Sequence, residues 1–264
     1  MPKTRSINDK VANLCKFFKV ADLRIMLQPD FLVNLRSSLS LNSDKNIINS
    51  RAWIQTAINI SKDIETQPYN AEKLKGYLPE LRGMTVKKPK EFLPRMHEIF
   101  AECGIAFVLL PHLKNSGVNG AVKWVTDDRV VLAINNRGVY ADKFWFSLFH
   151  EIRHVLQQKI KKVFISSTLE EMMDINNKLE IDADKFAKNY LISPEDYRRL
   201  APSRYISDDE IVEFAKTIGI HPGIVAGRLQ HEGIIPQERC SKLKEKYVFE
   251  IKKMNRQILG KDEI

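Results

Sequence analysis

Cysteine is scarce in this chain, and long apolar segments are missing. The 264 residues include three cysteines, Cys15, Cys103 and Cys240, which lie far apart. Their odd number and wide spacing argue against a disulfide-stapled domain and against a zinc site built from cysteine pairs. No segment approaches the ~18 consecutive apolar residues of a membrane helix, and no apolar signal-peptide core follows residues 1–5. The sequence therefore predicts a cytoplasmic protein with reduced thiols and no membrane partner.

Internal repeats and low-complexity tracts are also missing, so the sequence gives no indication of a repeat protein. Hydrophobic residues make up 44% of the chain, which is enough for a substantial core. The formal net charge is +9 and the pI is about 9.3. This balance permits contact with nucleic acid or with an acidic partner through a basic surface, although lysine-rich segments more often form solvated faces.

The strongest local signal is the sequence His-Glu-x-x-His at residues 150–154. Residues four apart lie on one face of an α-helix, so His150 and His154 can present two imidazoles to one metal ion. Glu151 lies beside them, within reach of a water at that metal, and is the expected general base. Apolar neighbours predict a buried active-site helix: Phe144, Leu148, Ile152 and Val155.

A catalytic zinc site needs a third protein ligand and an open position. Downstream, residues 179–191 have apolar positions at helical spacing, and Glu180 lies on the first turn of that helix. Glu180 is therefore the predicted third ligand. Asp184 follows one turn later and is expected to accept the free N–H of a ligand imidazole, which would fix its tautomer. Asp182 is the competing ligand, and the alternative is that these acids begin a solvated face.

Two segments carry a family resemblance. Residues 146–154 have the form Phe-x-x-x-His-Glu-Ile-x-His, and residues 180–194 have the form Glu-x-x-Ala-Asp-x-Phe-Ala-x-x-x-Leu-Ile-x-Pro. Together they resemble the ImmA/IrrE family of metallopeptidases. The resemblance implies an α+β fold with a zincin-like core, in which a small sheet of three or four strands precedes the His-Glu-x-x-His helix, with helical N- and C-terminal parts. It also implies Zn²⁺ as cofactor and cleavage of a DNA-binding repressor.

One position departs from the family pattern. Arg153 stands where glycine is common, and helical spacing directs it away from the ligands. The metal site should therefore survive, and Arg153 would be free to narrow the cleft or to hold a substrate carboxylate. The short strand 121–125 is expected to lie at the sheet edge beside the cleft and to pair with the substrate backbone. Gly120 and Val122 are the residues predicted to bind substrate there.

The sequence predicts three regions: a helical N-terminal subdomain at 1–83, a metallopeptidase core at 84–205 and a C-terminal helical region at 206–264. A basic, proline-containing stretch at 84–91 suggests a linker. The unit from Ser207 to Gln230 resembles a helix-turn-helix, although a C-terminal cap on the core is the favoured interpretation. Helices are expected at 7–27 and, as a charged tail, at 243–259.

The predicted function is hydrolysis of a peptide bond by a zinc-dependent endopeptidase. By resemblance, its substrate is a helix-turn-helix transcriptional repressor, cut in a stress response or during control of a mobile element. The competing hypothesis is a regulatory or antitoxin-like protein that keeps the zinc fold, has no catalytic role and acts by binding DNA or a partner protein.

Overall fold

The computed structural model describes residues 3–27, 34–37, 44–135, 140–157, 169–200 and 206–249 and has an α+β fold. Its sheet has the strand order β1-β3-β4-β2. β3 is antiparallel to both β1 and β4, whereas β2 is parallel to β4. The strands are β1 (Asn34–Ser37), β2 (Ile105–Leu110), β3 (Val118–Thr126) and β4 (Arg129–Asn135).

Helices cover both faces of this sheet. The alternation of side chains along β2 and β4 divides their apolar residues between two clusters, and both clusters are buried. On one face the alternate residues pack with Trp53, Ile54 and Ala57 of α2 (Asp44–Ser61). On the other face they join a larger cluster formed with α3 (Ala71–Gly83), α4 (Pro89–Glu102) and α5 (Ala141–Leu156).

The remaining helices complete this larger cluster. α6 (Leu169–Leu191) contributes Ala187 and Leu191, and a short α7 (Pro194–Leu200) follows it. α8 (Asp208–Thr217) begins with a capping box at Ser207, and α9 (Pro222–His231) begins after the cap His221. Because Ile211, Val225 and Leu229 share the cluster with α5, these helices form a cap on the core.

Three sequence predictions about organisation are wrong. The first helix, α1 (Ile7–Phe18), does not continue to residue 27, because Lys19 adopts the left-handed conformation and a 3-10 helix follows at Leu23–Leu27. Residues 84–91 are not a linker, because Met84 and Thr85 are buried in a 3-10 turn and α4 begins at Pro89. The tail is not helical from residue 243: a short 3-10 turn ends at Leu243, Lys246 forms a bridge with Tyr140, and Tyr247 is buried.

The larger cluster also contains Leu74, Leu78 and Leu81 of α3, so it crosses the predicted boundary at residue 83. The division into three regions stays a prediction, and residues 250–259 of the expected tail helix lie outside the described residues. Among the described helices, none combines the length and the apolar character needed to cross a membrane. Cys15, Cys103 and Cys240 are free, in agreement with the prediction of unpaired thiols.

Candidate metal centre

The helix α5 presents both histidines of the motif at one point. Its apolar face, with Trp145, Leu148 and Ile152 fully buried, fixes the helix against the sheet and the cap. The four-residue spacing then places His150 and His154 side by side, and their Nε2 atoms are 2.9 Å apart. Both imidazoles are buried. Two imidazole nitrogens held this close together can both bind the same cation.

α6 brings Glu180 to the same point. Its two carboxylate oxygens lie 3.2 Å from the Nε2 atoms of His150 and His154, one oxygen to each ring. Burial acts to raise the pKa of Glu180, but its contacts with the two imidazoles outweigh burial and lower the pKa to about 2. Glu180 is therefore ionised at neutral pH. The three side chains offer ligand atoms that lie within 4.8 Å of one another, positioned to bind a metal ion.

The outer nitrogens of the two rings are also engaged. Nδ1 of His150 lies 2.8 Å from Oδ1 of Asp184, and Nδ1 of His154 lies 2.9 Å from Oε1 of Gln157. Because these oxygens can only accept, each Nδ1 carries the hydrogen and donates it, which leaves each Nε2 with a lone pair for a metal. Asp184 thus makes the contact expected from the sequence. Gln157 is not predicted from the sequence as a partner of His154, although its position three residues further along the chain is a signal for such a contact.

Asp182 belongs to a hydrogen-bond network behind the centre and is not one of the three candidate metal ligands. Its Oδ2 accepts hydrogen bonds of 2.7 Å from Arg153 and of 2.7 Å from Gln157, whose amide also donates to the carbonyl of Leu179. Burial acts to raise the pKa of Asp182, but these hydrogen bonds lower it overall. Arg153 is thereby held by Asp182 and lies over the ring of Phe186, and its role in narrowing the cleft or holding a substrate carboxylate stays a prediction.

Glu151 is fully buried against β3. A Cβ atom placed on Gly120 would lie 2.6 Å from both Cγ and Oε1 of Glu151, so the close approach of strand and carboxylate depends on this glycine. Access to the centre is from the other side, where the side chains of Glu180 and Asp184 are 36% and 55% exposed. The motif glutamate is therefore packed against the strand on one side, and it follows His150 directly in α5.

The predicted substrate-binding roles of Gly120 and Val122 rest on a free edge of β3, and that part of the prediction is wrong. β3 lies inside the sheet, because Gly120 is paired with Ile134 on one side and with Arg36 on the other. Val122 is likewise paired with Leu132 and with Asn34. A strand from residues 34–37 was not predicted, and its backbone occupies the edge to which an added strand would bind.

We expect Asp184→Ala to weaken metal binding by roughly 10–100-fold, because it removes the hydrogen bond that orients His150 while leaving the ligands in place. Asp184→Asn should have a smaller effect, since the amide oxygen can accept the same hydrogen bond. Competition with a chromogenic chelator measures both affinities. Asp182→Ala is the comparison: if it weakens binding more than Asp184→Ala does, the network through Gln157 matters more than the contact with Asp184.

Two imidazole nitrogens and one carboxylate form a donor set that suits a divalent transition-metal ion, and three protein ligands leave coordination positions for water or substrate. The buried hydrogen bonds to each Nδ1 are those that metal-binding histidines usually make. The residues present thus fit a metal ion, and its chemical identity is a separate question. Comparisons of the chain with protein-family models, with curated proteins and with solved structures find no match.

Proposed function

We propose that the protein is a zinc-dependent endopeptidase of the ImmA/IrrE type, acting in the cytoplasm on a helix-turn-helix repressor. The single observation that carries this proposal is a group of His150, His154 and Glu180 that can hold a metal ion, with Glu151 next to His150 in the same helix and packed against Gly120. Zinc is the metal most often bound by two histidines and one glutamate with an open position. The choice of a repressor as substrate depends on the family resemblance of residues 146–154 and 180–194.

The proposed mechanism assigns a separate task to each residue. A zinc ion, when bound, supplies a Lewis acid for the scissile carbonyl and lowers the pKa of the attacking water. Glu151 accepts a proton from the water and passes it to the leaving amine. Asp184 and Gln157 hold the imidazoles in one tautomer and orientation, as their hydrogen bonds to Nδ1 indicate. The apolar surroundings of α5 exclude bulk water and strengthen the electrostatic interactions within the site.

Two routes to this centre are conceivable for the substrate backbone, and one of them is blocked by β1. Because β1 pairs with β3 over Asn34–Ser37, a substrate can add a strand to β3 only after β1 leaves it. Otherwise the peptide approaches from the side of Glu180 and Asp184, where the structure is partly exposed. The second route needs no rearrangement of the sheet, and we therefore favour it.

The test is a cleavage assay with purified full-length protein. Helix-turn-helix repressors from the same genome are incubated with the protein plus zinc, with the protein plus a chelator, and with the Glu151→Gln variant. Mass spectrometry then locates any cut. Cleavage that requires both zinc and Glu151 supports the proposal, whereas cleavage that survives in both controls reveals a contaminating protease.

One prediction follows from the contact between Gly120 and Glu151. Gly120→Ala would place a methyl group 2.6 Å from the carboxylate, so the side chain of Glu151 must move. Displacing a catalytic group by about 1 Å typically costs about 100-fold in rate, whereas metal content should not change. The steady-state rate and the zinc content are measured together.

Gly76→Ala is the matched control for this substitution, because nothing lies within 4 Å of the added Cβ. An alanine inside the exposed face of α3 should leave activity unchanged and stabilise the helix slightly, by about 0.5–1 kcal/mol. If Gly120→Ala retains full activity, the position of Glu151 against β3 is not the catalytic one.

A second candidate function is supported by the burial of the centre and by the charge of the chain. His150, Glu151 and His154 are fully buried, and the net charge is +9. Both features suit a regulatory protein in which the metal stabilises the fold while a basic surface binds DNA or a partner. Binding of a repressor or its DNA without any cleavage, at full zinc occupancy, would favour this function over the peptidase.

A further inference from the structure

A cavity of about 750 Å³ opens beside the metal centre, between α5, α6, α9 and the segment that ends at Phe249. Its size is within the range of ligand-binding pockets. It reaches the centre at two points. Asp184, whose carboxylate contacts His150, forms part of its wall, and so does Asn119, the neighbour of Gly120. A chain lying across the metal centre could therefore place a side chain in this cavity.

The wall of the cavity is basic where it is polar. Five lysine or arginine side chains line it against three carboxylates. Two of these carboxylates are neutralised locally: Glu232 pairs with Lys188 and with Arg228, and Asp142 pairs with Lys244. The third, Asp184, contacts His150. This pairing leaves Lys143 on α5 and Lys185 on α6 as the cationic surplus.

Both lysines are exposed, and neither forms a salt bridge with a residue that the structure describes, although Lys185 is close enough to Asp182 to help lower the pKa of that carboxyl. Part of the wall is apolar. Phe144, Leu191, Ile192 and Ile224 are buried and belong to the main hydrophobic cluster, while Phe146 and Phe249 pack against it. The cavity thus offers an apolar surface and two exposed lysines that form no salt bridge with a described residue. A ligand that satisfies both features has an apolar group close to a carboxylate.

We propose that this cavity binds a segment of the protein substrate in which an acidic side chain lies next to an apolar one. The proposal rests on the proposed peptidase function, because the cavity then serves as a specificity pocket next to the scissile bond. Lys143 and Lys185 each pair with an acidic side chain of the segment, and the apolar wall holds the apolar side chains next to them. Among all segments of a substrate, those with this composition are preferred for cleavage.

Binding is measured first, because it does not depend on hydrolysis. Two fluorescein-labelled peptides contain Asp-Leu-Glu-Phe or its uncharged counterpart Asn-Leu-Gln-Phe, and zinc-loaded Glu151→Gln protein is titrated into each. We expect the acidic peptide to bind about tenfold more tightly, since two partly exposed ion pairs contribute an effect of this order. Fluorescence anisotropy measures the affinity, and added salt should reduce the difference.

The double substitution Lys143→Gln with Lys185→Gln should remove this preference and leave the uncharged peptide unaffected. Lys87→Gln with Lys90→Gln is the matched control, because it makes the same change in net charge at two exposed positions outside the cavity. If both double variants weaken binding equally, a general attraction to a basic protein explains the result and the cavity proposal fails. It also fails if inorganic phosphate at equal charge competes as well as the peptide does.

Cleavage assays distinguish the failure of this proposal from failure of the peptidase function. If the unaltered protein cleaves a repressor at sites with no acidic preference, and the Lys143 and Lys185 variant has the same KM, the peptidase function stands and the cavity proposal is overturned. If the acidic peptide binds through the two lysines but nothing is cleaved, the cavity is a docking site for a partner and the peptidase function fails.

Discussion

Replacing His150 with alanine is expected to lower metal affinity by more than about 100-fold, and zinc should fall from about one ion per chain to a trace. The reason is that one of three protein ligands is lost, which is a larger change than the 10–100-fold loss typical of an outer hydrogen-bonding partner. Glu180→Ala should have a comparable effect, because its two oxygens reach both imidazoles at 3.2 Å. Elemental analysis of protein purified without chelators gives the stoichiometry.

Exposed residues of the same types provide the controls. His231 and Glu213 are exposed and are not candidate metal ligands. Alanine at either position should therefore leave the zinc content at about one ion per chain. Thermal unfolding of each variant without metal shows whether the fold is kept. Undiminished zinc in both His150→Ala and Glu180→Ala would contradict the assignment of the centre. Each variant keeps only two of the three proposed ligands, and two ligands should not hold zinc at full occupancy.

Much of the centre was predictable because it depends on helical periodicity. The i, i+4 spacing alone places His150 beside His154, and an apolar stripe on each helix makes α5 and α6 face each other. Glu180 and Asp184 then lie on the same edge of α6. The buried strands were also predictable, because the apolar runs at 105–110 and 129–134 correspond to β2 and β4.

The parts that were missed depend on contacts between segments distant in sequence. Gln157 orients His154 because its amide is held by the carbonyl of Leu179 and by Asp182, and both partners are on α6. The hydrophobic pattern of residues 34–37 does not identify a strand, since β1 is defined by its pairing with β3. Because of that pairing, β3 lies inside the sheet and not at the predicted edge, and the expected route of the substrate changes accordingly.

The tail shows the same limitation. A run of charged residues near 243 suggests a helix, but Trp145 donates a hydrogen bond of 2.8 Å to the hydroxyl of Tyr247 and the chain there is extended. Burial of two aromatic rings outweighs the helical preference of the neighbouring lysines and glutamates. Phe249 consequently lies beside Phe144 and forms part of the cavity wall, which no local pattern indicated.

Glu151→Gln is expected to lower the rate of peptide hydrolysis by about 1,000-fold or more while zinc content remains at about one per chain. Glutamine has nearly the same shape as glutamate, but its neutral amide cannot accept a proton from water at neutral pH. Metal binding should persist because the candidate ligands are His150, His154 and Glu180, and Glu151 is not one of them. Single-turnover kinetics, with a repressor that the unaltered protein cleaves, measure the rate of hydrolysis, and elemental analysis measures the zinc content.

Stability distinguishes loss of a base from loss of structure in this variant. Glu151 is fully buried, and a neutral side chain costs less to bury than a carboxylate does, so the melting temperature should stay unchanged or rise. Glu213→Gln, at an exposed position of α8, is the control for the chemical change itself. A variant that keeps its zinc and its melting temperature but loses hydrolysis identifies Glu151 as the proton acceptor. If cleavage instead continues at the unaltered rate, the proton is accepted elsewhere, and the peptidase mechanism proposed for this centre is wrong.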